Sequence, residues 1–445
     1  MKRRSRANGG RGPFAARTWG FASVVRARQG LWWFVVLVGL GSGLVGAAYV
    51  ETLRLVTHLL GPGGFSEAAD VVVLTGVGIT IGMLTMTLGN PGDVELLVDN
   101  IHVTGGRSDL RELRSLIPIS LLGIGAGSAI GPEAPLVQTT GAIGTWIARR
   151  RNLAVPDTRV LTITGMAAGF TVLFGAPFGS AIFALEILHR RGLQYYEALL
   201  PAAIGSLSGY VVYAAVTGFG FHPIWRFPEP HALRAVDLAV GVGAGVLGAL
   251  AAGGFTVLAK VFRQCFRRLP AVARPALGGA TLGALALLSP YALTFGEGQI
   301  QTVATAKLAV ATLLLAAVVK LVASSMIVSS GWRGGFIIPL FFVGAALGEV
   351  AHQLLGVDRV VAIAACMVAV NVGVTKTPFG SSLVVAEMIG VRLLPPVLLA
   401  AMVALFLTSR VAMIETQRAR GHDGSEPGSP DSPGEERDVD PPARD

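Results

Sequence analysis

The chain repeats itself, and that repeat restricts its possible folds more than any other feature. The run Ala176-Pro177-Phe178-Gly179-Ser180-Ala181-Ile182-Phe183-Ala184-Leu185-Glu186 resembles Thr377-Pro378-Phe379-Gly380-Ser381-Ser382-Leu383-Val384-Val385-Ala386-Glu387, and Met166 pairs with Met367 at the same offset. Gly131-Pro132-Glu133-Ala134-Pro135 and Gly335-Phe336-Ile337-Ile338-Pro339 match at nearly that spacing. Two matches at nearly one spacing divide the chain into halves of about two hundred residues. Glycine- and proline-interrupted apolar segments at corresponding places in two halves mark inverted-repeat transporters, whose substrate lies near the bilayer midplane between the repeats.

The rest of the sequence agrees with a membrane setting. Of the 445 residues, 52% are hydrophobic and only 14% charged. Residues 31–50 carry no charge and are long enough to cross a bilayer, and similar stretches recur almost to Arg410. Because backbone groups in lipid must be satisfied internally, the expectation is an all-α polytopic protein. Several of its apolar segments are short and cut by Gly or Pro, which predicts broken, tilted or re-entrant helices. Lys2, Arg3, Arg4, Arg6, Arg11, Arg17, Arg26 and Arg28 precede the first span without an acid among them. This excess predicts a cytoplasmic N-terminus, and Arg149–Arg151, Arg190 with Arg191, and the connection 260–274 extend the same side. Charges that flank spans in this way act as topology signals and argue against nucleic-acid binding.

The first apolar run exceeds a signal-peptide core and is expected to be retained. Residues 1–30 then form a basic cytoplasmic arm, residues 31–417 the transmembrane domain with repeats at about 31–217 and 236–417, and residues 418–445 a disordered cytoplasmic tail rich in Pro, Gly, Ser and acid. The expected location is the bacterial plasma membrane, with both termini cytoplasmic. Cys265 and Cys366 suggest packing residues, and neither metal nor cofactor is implied.

Glu133 is the sole ionisable residue between Ser115 and Ala148. A carboxylate is costly in such a run and marks a functional site by default. Gly and Pro on both sides predict that a helix begins there, with free backbone N–H groups inside the membrane. At both Gly-x-x-x-Pro segments such groups, with the positive end of a helix dipole, could replace the water around a small anion. Gly131, Ala134, Gly335, Phe336 and Ile337 are therefore candidate anion-binding positions. Glu133 could occupy the anion site itself when ionised and leave it when protonated, acting as gate and proton carrier. No nucleophile–base pair or metal-ligand spacing supports an enzyme.

Together these motifs resemble the CLC family of chloride channels and proton-coupled anion transporters. The resemblance rests on Gly131-x-Glu133-x-Pro135-x-Val137-Gln138, Phe174-Gly175-Ala176-Pro177-Phe178-Gly179, Ser330-Gly331 leading to Gly335-Phe336-Ile337-Ile338-Pro339, and the second Pro378-Phe379-Gly380, and it covers about residues 31–417. It implies a homodimer with an anion pathway in each subunit, Glu133 as external gating glutamate, and Phe336 and Ile337 as backbone donors at a central anion site. Departures from the family pattern bear on the transported ion. The usual Gly-Ser-Gly-Ile-Pro is replaced by Leu88-Gly89-Asn90-Pro91-Gly92-Asp93, so that Asn90 stands in for the central serine, and its amide can still donate to an anion. Ile414 stands where a central tyrosine is usual, Pro132 where arginine is frequent, and Ile187 where many antiporters carry an inner proton-transfer glutamate. Glu186 is the remaining inner proton-transfer candidate beside Glu133, although its match to Glu387 favours a structural role; nearby His189, beside Arg190 and Arg191, reads as a membrane-edge residue. The resulting expectation is transport of a small monovalent anion, chloride first, channel-like or with atypical proton coupling. The alternatives are a fluoride or other halide/proton antiporter and a non-transporting scaffold that keeps the fold. The implied partners are the anion, protons and membrane lipid.

Overall fold

The computed structural model describes residues 29–64, 66–92, 98, 101–102, 106, 110–189, 196–218, 224–228 and 232–414. The basic arm up to Arg28, Asp93, Arg190, Arg191 and the tail from Glu415 onward lie outside these residues. Among those described, every extended element is a helix, and the one β-type pairing is an isolated antiparallel bridge between Gly131 and Gly335.

The first half contributes α1 (Gln29–Leu60), α2 (Glu67–Leu88), α3 (Leu113–Gly125), α4 (Glu133–Arg150), α5 (Val155–Phe174), α6 (Pro177–Glu186) and α7 (Leu199–Thr217). The second contributes α8 (Ala235–Phe266), α9 (Ala273–Leu288), α10 (Glu297–Thr305), α11 (Val310–Ser329), α12 (Ile337–Leu355), α13 (Arg359–Thr375), α14 (Pro378–Ile389) and α15 (Leu394–Leu407). Packing follows the repeat. In the first half α1 lies on α5 and α7, and in the second α8 lies on α13 and α15 in the same way. Two contacts join equivalent helices of the two halves, α2 with α9 and α6 with α14. Among the described residues, six helices are long and apolar enough to cross a membrane, and five further apolar helices are shorter. Trp33, Leu37 and Leu44 on α1 and Val246, Leu250 and Val257 on α8 are exposed, as lipid-facing surface requires.

Local sequence explains why the helices break where they do. The α5–α6 and α13–α14 junctions each run from a left-handed residue (Gly175 or Lys376) through an extended residue (Ala176 or Thr377) into proline. Proline cannot continue the preceding helix and pushes its predecessor out of the α region, yet suits the first turn of the next helix. Lys376 tolerates φ +63° because its amine is anchored to Gly373 O at 2.5 Å, Thr408 O at 2.8 Å and Thr408 Oγ1 at 2.7 Å.

The same junctions lock the halves together. Glu186, at the end of α6, accepts from the backbone N–H groups of Phe379 at 3.1 Å and Gly380 at 2.6 Å, at the start of α14. Glu387 on α14 returns the arrangement, accepting from Phe178 at 3.3 Å and Gly179 at 2.6 Å at the start of α6. Each carboxylate thus satisfies donors that a helix start leaves open, at its positive end.

Candidate functional site

The two Gly-x-x-x-Pro segments meet across the repeat. Gly131 N donates to Gly335 O at 2.8 Å, and Gly335 N returns to Gly131 O at 2.6 Å. This short ladder aligns the starts of α4 and α12, whose first helical residues are Glu133 and Ile337. Two helix N-termini therefore converge on one point, with their unsatisfied N–H groups and positive dipole ends together.

The Glu133 side chain fills that point. It is buried, its Oε1 accepts from Ile338 N at 2.6 Å, and its Oε2 has no hydrogen-bond partner among the described residues. Close approach is possible only because residue 335 lacks a side chain. A Cβ on Gly335 would lie 2.6 Å from Glu133 Oε2, 2.8 Å from Glu133 Cβ and 3.1 Å from Ala134 N. With Oε2 buried and without a partner among the described residues, the bond from Ile338 N is the hydrogen bond that holds the carboxyl across the repeat.

The two chain neighbours of Glu133 line two separate cavities. One, of about 40 Å³, is lined by Ala134, Gln138, Arg263, Arg333, Phe336 and Ile414, with Gly92 and Met413 among the other walls. That is room for a monatomic anion with little hydration. The other, of about 430 Å³, is lined by Pro132, Arg54, His58, Tyr213, Phe295 and Glu297. Residues 132 and 134, on the two sides of Glu133, thus face different cavities. Glu297 is exposed to the larger one, but crowding by protein around the carboxyl raises its pKa, which Arg54 partly offsets.

Of the residues singled out in the sequence, Glu133, Gly131, Ala134, Gly335, Phe336, Ile337 and Ile414 come together around this point or its smaller cavity. Ile414 lies beyond the last described helix, which ends at Leu407. Asn90 is exposed and does not line the cavity; its amide oxygen accepts from Arg333 Nη2 at 2.6 Å, and Gly92 is the wall residue from its segment. Glu186 lines neither cavity, and both its oxygens are engaged as caps. His189 is buried against His102, the rings edge-on with centroids 4.8 Å apart. Ile338, Arg333 and Arg263 were not singled out in the sequence. Ile338 was visible as the next free donor of the first turn of α12, whereas the two arginines become site residues only through long-range packing.

A family model described as voltage gated chloride channel matches residues 91–409. The chain belongs to that family. It is 26% identical over 405 residues to a chloride/fluoride channel protein of Pseudomonas syringae pv. tomato, covering 87% of each sequence. In fold it is similar to the crystal structure of a CLC-type fluoride/proton antiporter, with TM-score 0.78 and 23% identity over 90% of this chain and 99% of the other. A slow cyanobacterial chloride/proton antiporter gives TM-score 0.74 and 20% identity over 85% and 94% of the two chains. The repeat architecture is therefore the CLC fold, and the protein is an integral multi-pass membrane protein of an anion-transporting family.

Proposed function

We propose that this CLC protein conducts a small monovalent anion along a pathway within each subunit of a homodimer, with Glu133 as its gate. The observation that carries this reading is the position of the Glu133 carboxylate. It rests on a backbone donor at the convergence of two helix N-termini, next to Ala134 in the wall of one cavity and Pro132 in the wall of the other.

Protonation of Glu133 removes its charge and weakens the bond to Ile338, so the side chain leaves and the vacated donors accept an anion. Backbone N–H groups attract the ion without a full positive charge, which favours residence short enough for throughput. Arg263, in the last turn of α8 where the basic stretch 260–274 begins to leave the helix, lines the smaller cavity, which supports assigning that cavity to the cytoplasmic side. The larger cavity then faces outward. Ile187 at the inner proton position and the capping role of Glu186 favour channel-like conduction over tight proton exchange.

Chloride is the leading ion. Fluoride is a second reading, favoured by the name of the Pseudomonas relative and by the absence of the usual serine. Reconstituted protein should be given an imposed pH gradient with chloride or fluoride on both sides. Anion movement independent of that gradient fits conduction; uphill anion movement driven by it contradicts a channel and indicates antiport.

A further inference from the structure

Lys320 is a buried charge-bearing side chain that the pathway described above does not use. It lies in the middle of α11, is fully buried, and stands where the first repeat has Leu116. A lysine at membrane depth on an apolar helix needs partners and marks a functional position by default. Its amine donates to Leu293 O at 2.8 Å and Thr294 O at 2.6 Å, and lies 5.3 Å from the centroid of the Phe342 ring. Phe342 in turn stacks on Tyr291, with centroids 5.8 Å apart. Two carbonyls and an aromatic face match the three donors of an ammonium group.

The segment that Lys320 holds reaches the gate. Thr294 has a left-handed backbone, φ +58°, and its N–H donates to Gly127 O at 2.8 Å. Gly127 opens the turn that ends at Gly131, two residues before Glu133. One helical turn past Lys320, Ser324 Oγ donates to Ala129 O at 2.7 Å in the same turn. Thus α11 grips the gate-bearing turn twice, through Lys320 by way of Thr294 and through Ser324 directly. On the other face of the Lys320-held segment, Phe295 and Glu297 form part of the larger cavity.

We propose that Lys320 is a positioning residue for the gate: it fixes the 127–131 turn and the adjoining cavity wall so that Glu133 meets Ile338 N in the closed state. It touches no permeating ion. An apolar residue could fill its volume, as Leu116 does in the other half, but could not orient the carbonyls of Leu293 and Thr294. Gln299 Nε2 also reaches Leu293 O, at 3.0 Å, so loss of the amine leaves Thr294 as the freed point. The ionisable groups coupled electrostatically to Glu133 are Tyr49 of α1 and Glu297 of α10, and both keep their places in the test below.

This inference rests on Glu133 being the gate, and Glu133→Gln alone tests that reading. Lys320→Met, Glu133→Gln and the double variant are reconstituted, and chloride and fluoride efflux is measured against external pH, with thermal unfolding as a check on fold. Lys320→Met is expected to shift the pH of half-maximal efflux by about one unit, a tenfold change in the gate equilibrium. In the Glu133→Gln background it should change efflux less than about twofold, since the gate it positions is already released. An unshifted pH profile, or the same change of efflux in both backgrounds, overturns the proposal. If Lys320→Met does not fold, Ser324→Ala carries the test with a smaller shift in the same measurement, and no shift there also overturns it.

Discussion

Replacing Glu133 by glutamine keeps the side chain's shape and removes its charge permanently. In the closed arrangement the carboxylate accepts from Ile338 N at 2.6 Å. A hydrogen bond to a charged acceptor contributes about 1.5–3 kcal/mol and a neutral one about 1 kcal/mol, so the substitution weakens closure by about 0.5–2 kcal/mol, centred on about 1.3 kcal/mol. At 1.4 kcal/mol per factor of ten, the closed-to-open ratio falls about tenfold. The glutamine Nε2, placed where Oε2 now is, would also bring a donor against Gly335, where a Cβ would lie only 2.6 Å from that oxygen. Wild-type efflux should rise as external pH falls, because protonation has the same effect as the substitution. Glu133→Gln efflux should be high and flat across the same series. The assay is halide efflux from proteoliposomes read with an ion-selective electrode, at matched protein density. A variant with wild-type efflux and wild-type pH dependence would refute the gate.

Three further outcomes follow from the same geometry. Gly335→Ala places a methyl 2.6 Å from Glu133 Oε2 and 2.8 Å from its Cβ, so it should displace the closed gate and flatten the pH dependence of efflux while the fold survives; a preserved pH profile would contradict the close approach. Glu186→Gln and Glu387→Gln each weaken one of two equivalent cross-repeat caps and should each lower stability by about 1–2 kcal/mol, measured by thermal unfolding in detergent. Glu186→Gln should leave the pH dependence of efflux unchanged, and its abolition would instead give Glu186 a proton-transfer role. Glu297 faces the larger cavity, and the protein crowded around its carboxyl raises its pKa, so its charge is lost on acidification at a higher pH than for an ordinary carboxylate. Above that range the carboxylate repels entering anions; below it the group is neutral. Glu297→Gln should therefore speed anion entry at alkaline external pH and match wild type at acid pH, and equal effects at both would refute this reading.

Much of the fold was legible because membrane burial leaves strong local signals. The paired Pro-Phe-Gly runs marked α6 and α14, and Gly-Pro-Glu-Ala-Pro marked the start of α4 at Glu133. A lone acid in an apolar run pointed to Glu133, which the structure places where the starts of α4 and α12 meet, without a neighbour being known. What the sequence did not reveal depends on contacts between distant residues. Ile338, instead of Phe336 or Ile337, meets the carboxylate because the Gly131–Gly335 bridge sets the register between two helices about two hundred residues apart. The equivalence of Glu186 and Glu387 was visible, but their exchange of caps required knowing that α6 crosses α14. Asn90 was chosen by its place in a motif, and its engagement with Arg333 arises from packing that brings residues 243 positions apart together. Lys320 resembles an ordinary interruption of an apolar helix until its two carbonyl partners, more than twenty residues away, are seen.

The most direct measurement is anion efflux from proteoliposomes holding the purified wild-type chain, loaded in turn with chloride, fluoride and nitrate. A gated pathway between the two cavities should give protein-dependent efflux of at least one halide, faster at acid external pH. A folded, correctly inserted protein that releases none of these ions at any pH would contradict transport and leave the CLC fold as a scaffold.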